Sequence, residues 1–141
     1  MPVSPADPVG RRVLLVEDDA DSRDMYAMVL GFAGFDVHAV GDASAAFELA
    51  VARHPDVIVT DFTLRGPDNG AALCRRLHAD ARTADIPVLV VTGSTRPADA
   101  EALRGAGCAE IRTKPYLPDA LIVDVEYLVS RSRQGRPAQA L

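Results

Sequence analysis

The 141-residue sequence has few cysteines, few aromatic residues and no long apolar segment. No apolar run approaches the roughly 18 residues that a membrane-spanning helix needs, which excludes a transmembrane segment. The two cysteines, Cys74 and Cys108, are far apart in the sequence, and two are too few for a disulfide framework or a zinc knuckle. His78 follows Cys74 by four residues, but two ligands do not make a structural zinc site. This cysteine usage is typical of a reduced compartment, so we expect a cytoplasmic protein with no membrane association.

Basic residues are also scarce: 15 Lys and Arg stand against 20 Asp and Glu, for a formal net charge of −5. This balance argues against a nucleic-acid surface, because such surfaces carry a basic patch. Residues 130–141 carry three arginines and no acidic residue, and we expect them to form a flexible basic tail. Residues 1–10 contain three prolines and lack the apolar stretch of a signal peptide, so we expect a flexible leader. One folded domain is therefore predicted over 11–129.

Short β-branched apolar runs alternate along this domain with stretches of helical periodicity, a pattern typical of a parallel sheet covered on both faces. The strands are predicted at Arg12–Val16, Asp36–Val40, Val57–Thr60, Val88–Thr92 and Ala109–Arg112. The first helix is predicted from about Asp21 to Ala33 and the last from near Pro118 onward. Between them, Asp42 is predicted to cap a helix through Arg53, Asp68 or Asn69 one through about Asp80, and Thr95 with Pro97 one that ends at Gly105.

Apolar spacing also predicts which helix faces meet the core. In the first helix, Met25, Val29 and Phe32 are spaced to face it. The last helix has a buried stripe at Leu121, Ile122, Val125, Leu128 and Val129. A sheet of this kind binds ligands beyond the carboxyl ends of its strands, so the search for a site starts there.

Three adjacent acidic residues, Glu17, Asp18 and Asp19, follow the first strand, where a dinucleotide-binding fold would carry a glycine-rich loop. No Gly-x-Gly-x-x-Gly motif is present, which excludes that kind of site. Capping of the following helix explains Asp19 or Asp21, but it explains Glu17 and Asp18 less well. Clustered carboxylates repel one another unless a cation lies among them. Hard oxygen ligands favour Mg²⁺.

Polar residues also follow the later strands. The apolar third strand stops at Asp61, the fourth ends at Thr92 before Gly93, and Lys114 follows the fifth. An acid pair, an acid, a hydroxyl and a lysine thus occupy the ends of four strands, which predicts one site that handles an anionic group beside a cation.

In order and spacing, these residues resemble the receiver domain of two-component response regulators over the whole of 11–129. The resemblance implies an α/β, flavodoxin-like (βα)5 fold, a doubly wound parallel five-stranded sheet in the order 2-1-3-4-5. It implies that Asp61 is the phosphoacceptor and that Thr92 and Lys114 contact the phosphoryl group. The metal ligands it implies for Mg²⁺ are Glu17, Asp18, Asp61 and the backbone carbonyl of Thr63. The Lys114-Pro115 bond is expected to be cis.

The function implied is that of a stand-alone, chemotaxis-regulator-like receiver, because no effector or DNA-binding domain follows residue 129. Such a protein accepts a phosphoryl group from a phosphohistidine of a sensor histidine kinase or a histidine phosphotransfer protein. It catalyses only its own phosphorylation and slow dephosphorylation, and it signals through contacts with a downstream protein target.

Two departures from the family pattern and two alternatives accompany this interpretation. Arg65 stands where the family usually has proline, in a loop with one extra residue before Gly70, and Ile111 stands where many members carry Tyr or Phe. One alternative is a receiver-fold interaction module that does not depend on phosphorylation. The other is a phosphatase of the haloacid dehalogenase type, which needs a second Asp two residues after the nucleophile, where this chain has Thr63.

Overall fold

The computed structural model describes residues 11–134 as one five-stranded sheet with five helices. The predicted leader, 1–10, and residues 135–141 of the predicted tail lie outside the described residues. The elements are β1 (Arg12–Val16), α1 (Ala20–Phe32), β2 (Asp36–Val40), α2 (Ala43–Arg53), β3 (Val57–Asp61), α3 (Gly70–Ala79), β4 (Val88–Thr92), α4 (Pro97–Arg104), β5 (Glu110–Thr113) and α5 (Pro118–Gln134).

All strands pair in parallel, in the order β2-β1-β3-β4-β5, which confirms the predicted flavodoxin-like fold. The register aligns the strand ends: Val16 pairs with Thr60, and Asp61 pairs with Val91. Thr92 pairs with Thr113 at the end of β5. The polar residues that follow these strands therefore lie along one edge of the sheet.

The core consists of two apolar layers, one on each face of the sheet. Because successive side chains of a strand point to opposite faces, Leu14 of β1 packs in the layer beneath α2, α3 and α4. Its neighbour Leu15 packs in the layer formed with α1 and α5, which includes Leu121 and Val125. Burial on both faces explains why the central strands are nearly continuous apolar runs. None of the helices in 11–134 is long and apolar enough to span a membrane.

Side chains cap three helices at their N-termini. Asp19, Asp42 and Asn69 each accept a hydrogen bond from the backbone N–H three residues ahead, at 2.8–2.9 Å. These bonds satisfy donors that a helix start otherwise leaves free. Thr95 with Pro97 was the predicted start of α4. The helix does begin at Pro97, whose fixed φ suits a first helical residue, but the cap position is Arg96 and not Thr95.

The predicted core face of α1 is wrong. Met25 is exposed and Phe32 is 87% exposed, whereas Leu30 is fully buried and Tyr26 packs beside it. Helical positions one residue apart differ by about 100° around the axis. The α1 sequence contains two overlapping apolar stripes, and packing against α5 and the sheet selects the second one.

The predicted start of the tail at Ser130 is also wrong, because α5 continues to Gln134. The Arg131 guanidinium donates a hydrogen bond to the Tyr127 hydroxyl at 3.0 Å, one helical turn earlier. Basic side chains near a helix C-terminus also interact favourably with the helix dipole. Arg131, which suggested a solvated tail, is thus a residue of the helix.

The two-layer core yields a prediction for two leucines at the start of α5. Leu121 is 1% exposed and Leu117 is 68% exposed. Leu121→Ala should lower the free energy of unfolding by about 2–5 kcal/mol, because it removes buried methyl groups and leaves a cavity. Leu117→Ala, the control, should change it by less than about 0.5 kcal/mol. Urea unfolding followed by circular dichroism measures both, and equal losses would contradict the assignment of Leu121 to the core.

Candidate functional site

Glu17 is anchored directly after β1 by its own backbone and side chain. Its backbone N–H donates to the Val40 carbonyl at 3.0 Å, and its own carbonyl accepts from the Arg23 guanidinium at 2.9 Å. The carboxylate accepts from the backbone N–H of Asp19 at 3.1 Å. Glu17 is therefore a buried acid that β2, the backbone of Asp19 and Arg23 of α1 hold in place.

Asp61 is the last residue of β3, and α3 begins close against its backbone. A Cβ on Gly70, the first residue of α3, would lie 2.5 Å from the Asp61 carbonyl oxygen, so only glycine fits there. The Gly70 N–H donates to the Phe62 carbonyl at 2.7 Å. This contact holds the end of β3 in place beside β4.

The three acids predicted at the site come together. Glu17, Asp18 and Asp61 each offer a carboxylate oxygen, and these oxygens lie within 4.8 Å of one another. Burial raises the pKa of the Glu17 and Asp61 carboxyl groups, and mutual repulsion raises it further. Three hard oxygen donors that repel one another are suited to a cation such as Mg²⁺. These residues thus fit the predicted metal.

Lys114, which was predicted at the same end of the sheet, pairs directly with Asp61. Its Nζ lies 2.8 Å from Asp61 Oδ1, and its backbone N–H donates to the Thr92 carbonyl at 2.8 Å. Partial burial alone would lower the pKa of Lys114, but the hydrogen bond to Asp61 and the charge of Glu17 outweigh it and raise that pKa. The expected cis bond between Lys114 and Pro115 is present.

Thr92 is buried at the end of β4, and its hydroxyl is tied to the loop that leads to α4. Its Oγ1 accepts a hydrogen bond from the Ser94 N–H at 3.0 Å. The Ser94 hydroxyl in turn donates to Asp99 in the first turn of α4 and accepts from the Arg96 N–H. A displacement of Thr92 would therefore change the hydrogen bonds at the start of α4.

The loop after Asp61, whose geometry the sequence left open, is anchored by two buried side chains, Phe62 and Leu64. Thr63 between them is exposed. Arg65, the first departure from the family pattern, is 83% exposed with its Nε 4.0 Å from an Asp18 oxygen. At that distance and exposure the pair contributes little to stability. Ile111, the second departure, packs partly buried against the core layer of α3 and α4.

Tyr26 is a site residue that the sequence analysis missed. It lines a small cavity together with Glu17, Asp61, Lys114 and Tyr116. Its hydroxyl donates to the Tyr116 carbonyl at 3.5 Å, and burial raises the pKa of this phenol. The sequence pattern that could have identified Tyr26 is the second apolar stripe of α1, which places Tyr26 on the face of the helix that packs on the sheet. The phenol links α1 to the segment that follows Lys114.

Comparison with known proteins identifies the family to which the chain belongs. The family model described as the response regulator receiver domain matches residues 13–126. The phosphate regulon transcriptional regulatory protein PhoB of Pseudomonas aeruginosa is 32% identical over 127 residues, which are 90% of this chain and 55% of that protein. The DNA-binding dual master transcriptional regulator RpaA of Synechocystis is 35% identical over 121 residues, 86% of this chain and 50% of that one. The chain thus spans about half the length of these curated relatives.

Solved structures show the same architecture. The signal receiver domain of a signal transduction histidine kinase from Syntrophus aciditrophicus superposes with a TM-score of 0.79 at 27% identity, covering 84% of this chain and 89% of that chain. The chemotaxis response regulator CheY4 of Vibrio cholerae superposes with a TM-score of 0.75 at 24% identity, covering 83% and 97%. The second similarity concerns the fold alone.

The acid cluster yields a prediction about pH. Folding raises the pKa of the Asp61 carboxyl group above its unfolded value of about 3.9. In the pH window between these two pKa values, the folded state therefore binds more protons than the unfolded chain. The contribution of Asp61 to stability therefore falls as pH rises from the unfolded pKa through the folded one. Asp61→Asn cannot ionise, so its stability relative to the parent should increase with pH across that window and then level off.

Urea unfolding in the presence of a metal chelator, from about pH 4 to about pH 8, measures this difference. Asp21→Asn, which removes an exposed acid from the first turn of α1, is the control for the loss of one carboxylate outside the cluster. A stability difference between Asp61→Asn and the parent that falls with pH would contradict the electrostatic assignment.

Proposed function

The chain belongs to the response regulator receiver family, and from this premise we propose that it accepts a phosphoryl group on Asp61 and signals through protein contacts. Receiver domains are phosphoacceptor signalling modules that histidine kinases phosphorylate, and they are not classical enzymes. The observation that carries the proposal is the pairing of Asp61 with Lys114 at 2.8 Å beside the oxygens of Glu17 and Asp18. It unites a nucleophilic carboxylate, a cation and a metal-binding acid pair at one strand edge.

In the proposed transfer, an Asp61 carboxylate oxygen attacks the phosphorus of a phosphohistidine. An oxygen–phosphorus bond forms, the nitrogen–phosphorus bond breaks, and its electron pair stays on the imidazole, which takes up a proton. Such a transfer depends mainly on positioning and on neutralising charge. The β3 backbone, packed against Gly70, provides the positioning. Lys114 provides one of the positive charges beside the transferred group.

Glu17, Asp18, Asp61 and the backbone carbonyl of Thr63 would hold Mg²⁺, as receiver domains generally bind this ion at an acidic cluster. When bound, it supplies charge neutralisation between the carboxylates and the phosphoryl oxygens. The negative charges of the three carboxylates equal the positive charges of a divalent cation and Lys114 together. Phosphorylation adds about one further negative charge at pH 7, which disturbs that balance.

The proposed switch begins at Thr92 and Lys114, which the new phosphoryl oxygens would attract. The Thr92 hydroxyl now accepts from Ser94, and Ser94 is bonded to Asp99 of α4. A Thr92 hydroxyl that turns to the phosphoryl group gives up that bond and alters the start of α4. Since Ile111 has no ring, we propose that the signal runs through this loop and Lys114.

The rest of the proposal concerns the protein as a whole. We place the receiver domain at 11–129, with α5 extending to Gln134, and we propose that it works in the cytoplasm. The phosphoryl donor is a sensor histidine kinase or a histidine phosphotransfer protein, and the output is binding to a downstream protein. The DNA binding named for the relatives is not proposed, because this chain covers only about half of each.

The central prediction is that Asp61 is phosphorylated in a reaction that needs Mg²⁺. With acetyl phosphate and Mg²⁺, the intact mass should rise by one phosphoryl group, and hydroxylamine should remove it, because an acyl phosphate is labile to that nucleophile. Asp61→Asn should take up none. Asp56→Asn, a change to another acid next to the same strand, is the control and should retain uptake. Phosphate that persists in Asp61→Asn would refute the assignment, and no uptake by the parent chain would favour a module that works without phosphorylation.

A second prediction separates the metal-binding acid from its neighbour. Asp18→Asn should weaken Mg²⁺ binding at least tenfold, about 1.4 kcal/mol, because Asp18 offers an oxygen to the cluster. Asp19→Asn should bind Mg²⁺ nearly as the parent does, because Asp19 caps α1 and asparagine caps equally well. Isothermal titration calorimetry measures both affinities, and equal affinities would show that the acid pair is misplaced.

A further inference from the structure

The segment that follows Lys114 is held by side chains that the proposed function does not use. The ammonium group of Lys114 lies against Asp61, but 42% of the lysine side chain is exposed. A lysine ammonium is carried on a long flexible stem, so this ion pair keeps its geometry only if the backbone beneath the stem is fixed. Tyr116, two residues later, lines the same small cavity as Lys114 and Asp61. Its contacts show how that backbone is fixed.

Tyr116 is bonded to a helix at each of its polar ends. Its hydroxyl donates a hydrogen bond to the Asp124 carboxylate on α5. Its backbone carbonyl accepts from the Tyr26 hydroxyl on α1 at 3.5 Å. The ring is partly buried and packs against the core layer that α1 and α5 share. The segment after Lys114 is therefore attached to both helices of that layer.

The carboxylate that receives the Tyr116 hydroxyl is itself oriented by Arg112. The guanidinium grips Asp124 like a fork, with Nε 2.9 Å from one oxygen and Nη2 3.3 Å from the other, and its Nη1 lies 2.8 Å from Glu110. Burial alone would raise the pKa of Asp124, but the hydrogen bonds from Arg112 and Tyr116 outweigh it and lower that pKa. Asp124 is thus an ionised acceptor, and hydrogen bonds to ionised groups are the strong ones.

Through these bonds, Asp124 fastens the chain on both sides of Lys114. Arg112 comes two residues before Lys114, and Tyr116 comes two residues after it. The backbone N–H of Lys114 is bonded in addition to the Thr92 carbonyl at 2.8 Å. Three hydrogen-bonded contacts in five consecutive residues leave this backbone little freedom, so they set the direction in which the Lys114 side chain leaves the chain.

We propose that Tyr116 is a positioning residue for Lys114, because its bond to Asp124 keeps the Lys114 ammonium group against Asp61. Within 11–134 the Tyr116 hydroxyl bonds to α5 and not to Asp61, so Tyr116 acts through Lys114. The expected effect on phosphoryl transfer rests on the proposed function, since a displaced Lys114 would neutralise the transferred group less well. The position of Lys114 does not rest on it.

The first experiment measures the position of Lys114 without any phosphoryl transfer. Lys114 is the only lysine of the sequence, so an amine acetylated by acetic anhydride in the tryptic peptide 113–131 is that of Lys114. In the full, metal-free chain, Tyr116→Phe should raise the labelling rate by about three- to tenfold, the ratio that corresponds to the loss of one hydrogen bond. Tyr127→Phe, which removes a half-exposed hydroxyl from the same helix, is the control and should label at the parent rate.

The same measurement in an Asp61→Ala background separates positioning from a general loosening of the fold. Lys114 has already lost its partner there, so the addition of Tyr116→Phe should change the labelling rate by less than about twofold. An equal increase in both backgrounds would show that Tyr116 only stabilises the fold, and this result would overturn the proposal. Labelling of Tyr116→Phe at the parent rate would overturn it as well.

The second experiment measures phosphoryl transfer with acetyl phosphate and Mg²⁺. Uptake by Tyr116→Phe should be slower by about three- to tenfold, while its Mg²⁺ affinity stays near that of the parent because no metal ligand is changed. Asp124→Ala should slow uptake similarly, and circular dichroism checks that both variants fold. Uptake at the parent rate by both variants would refute the role in transfer. No uptake by the parent would refute the proposed function instead, and the labelling rates would still decide the position of Lys114.

Discussion

The parallel pairing of β1 with β3 is the constraint on which the site depends. Val16 lies beside Thr60 in this register, so Glu17 and Asp61 each come one residue later, at the same edge. Their carboxylates repel each other and are partly removed from water, and the raised pKa values reflect that cost. Burial of Val and Leu side chains on both faces, at about 1.5–3 kcal/mol each, offsets it. The core thus holds in place a charge cluster that would otherwise separate.

The side chains around the acid cluster connect it to the neighbouring strands and to α4. Lys114 joins β5 to β3 through Asp61, and Thr92 joins β4 to the start of α4 through Ser94. The position of the Lys114 side chain therefore depends on the charge at Asp61.

Much of the fold could be predicted because its signals are local. Buried parallel strands are continuous apolar runs, such as Val57–Asp61, and polar residues where they end stand out against that background. The cap residues Asp42 and Asn69 were visible for the same reason, since capping acts within one helical turn. The core face of α1 was missed because Met25 and Tyr26 both belong to stripes with helical spacing. The end of α5 was missed because arginines suit both a tail and a helix C-terminus.

The sequence by itself determined the five strands, the five helices and the identity of the acids, hydroxyl and lysine at the strand ends. Each of these follows from residue type and spacing along a short segment. Only the tertiary structure brought Tyr26 into one cavity with Asp61 and Lys114, and brought Arg65 toward Asp18. Those positions depend on the rotation of a helix about its axis and on the path of a loop. Such quantities are set by the sum of many weak packing interactions across the core, which no local pattern records.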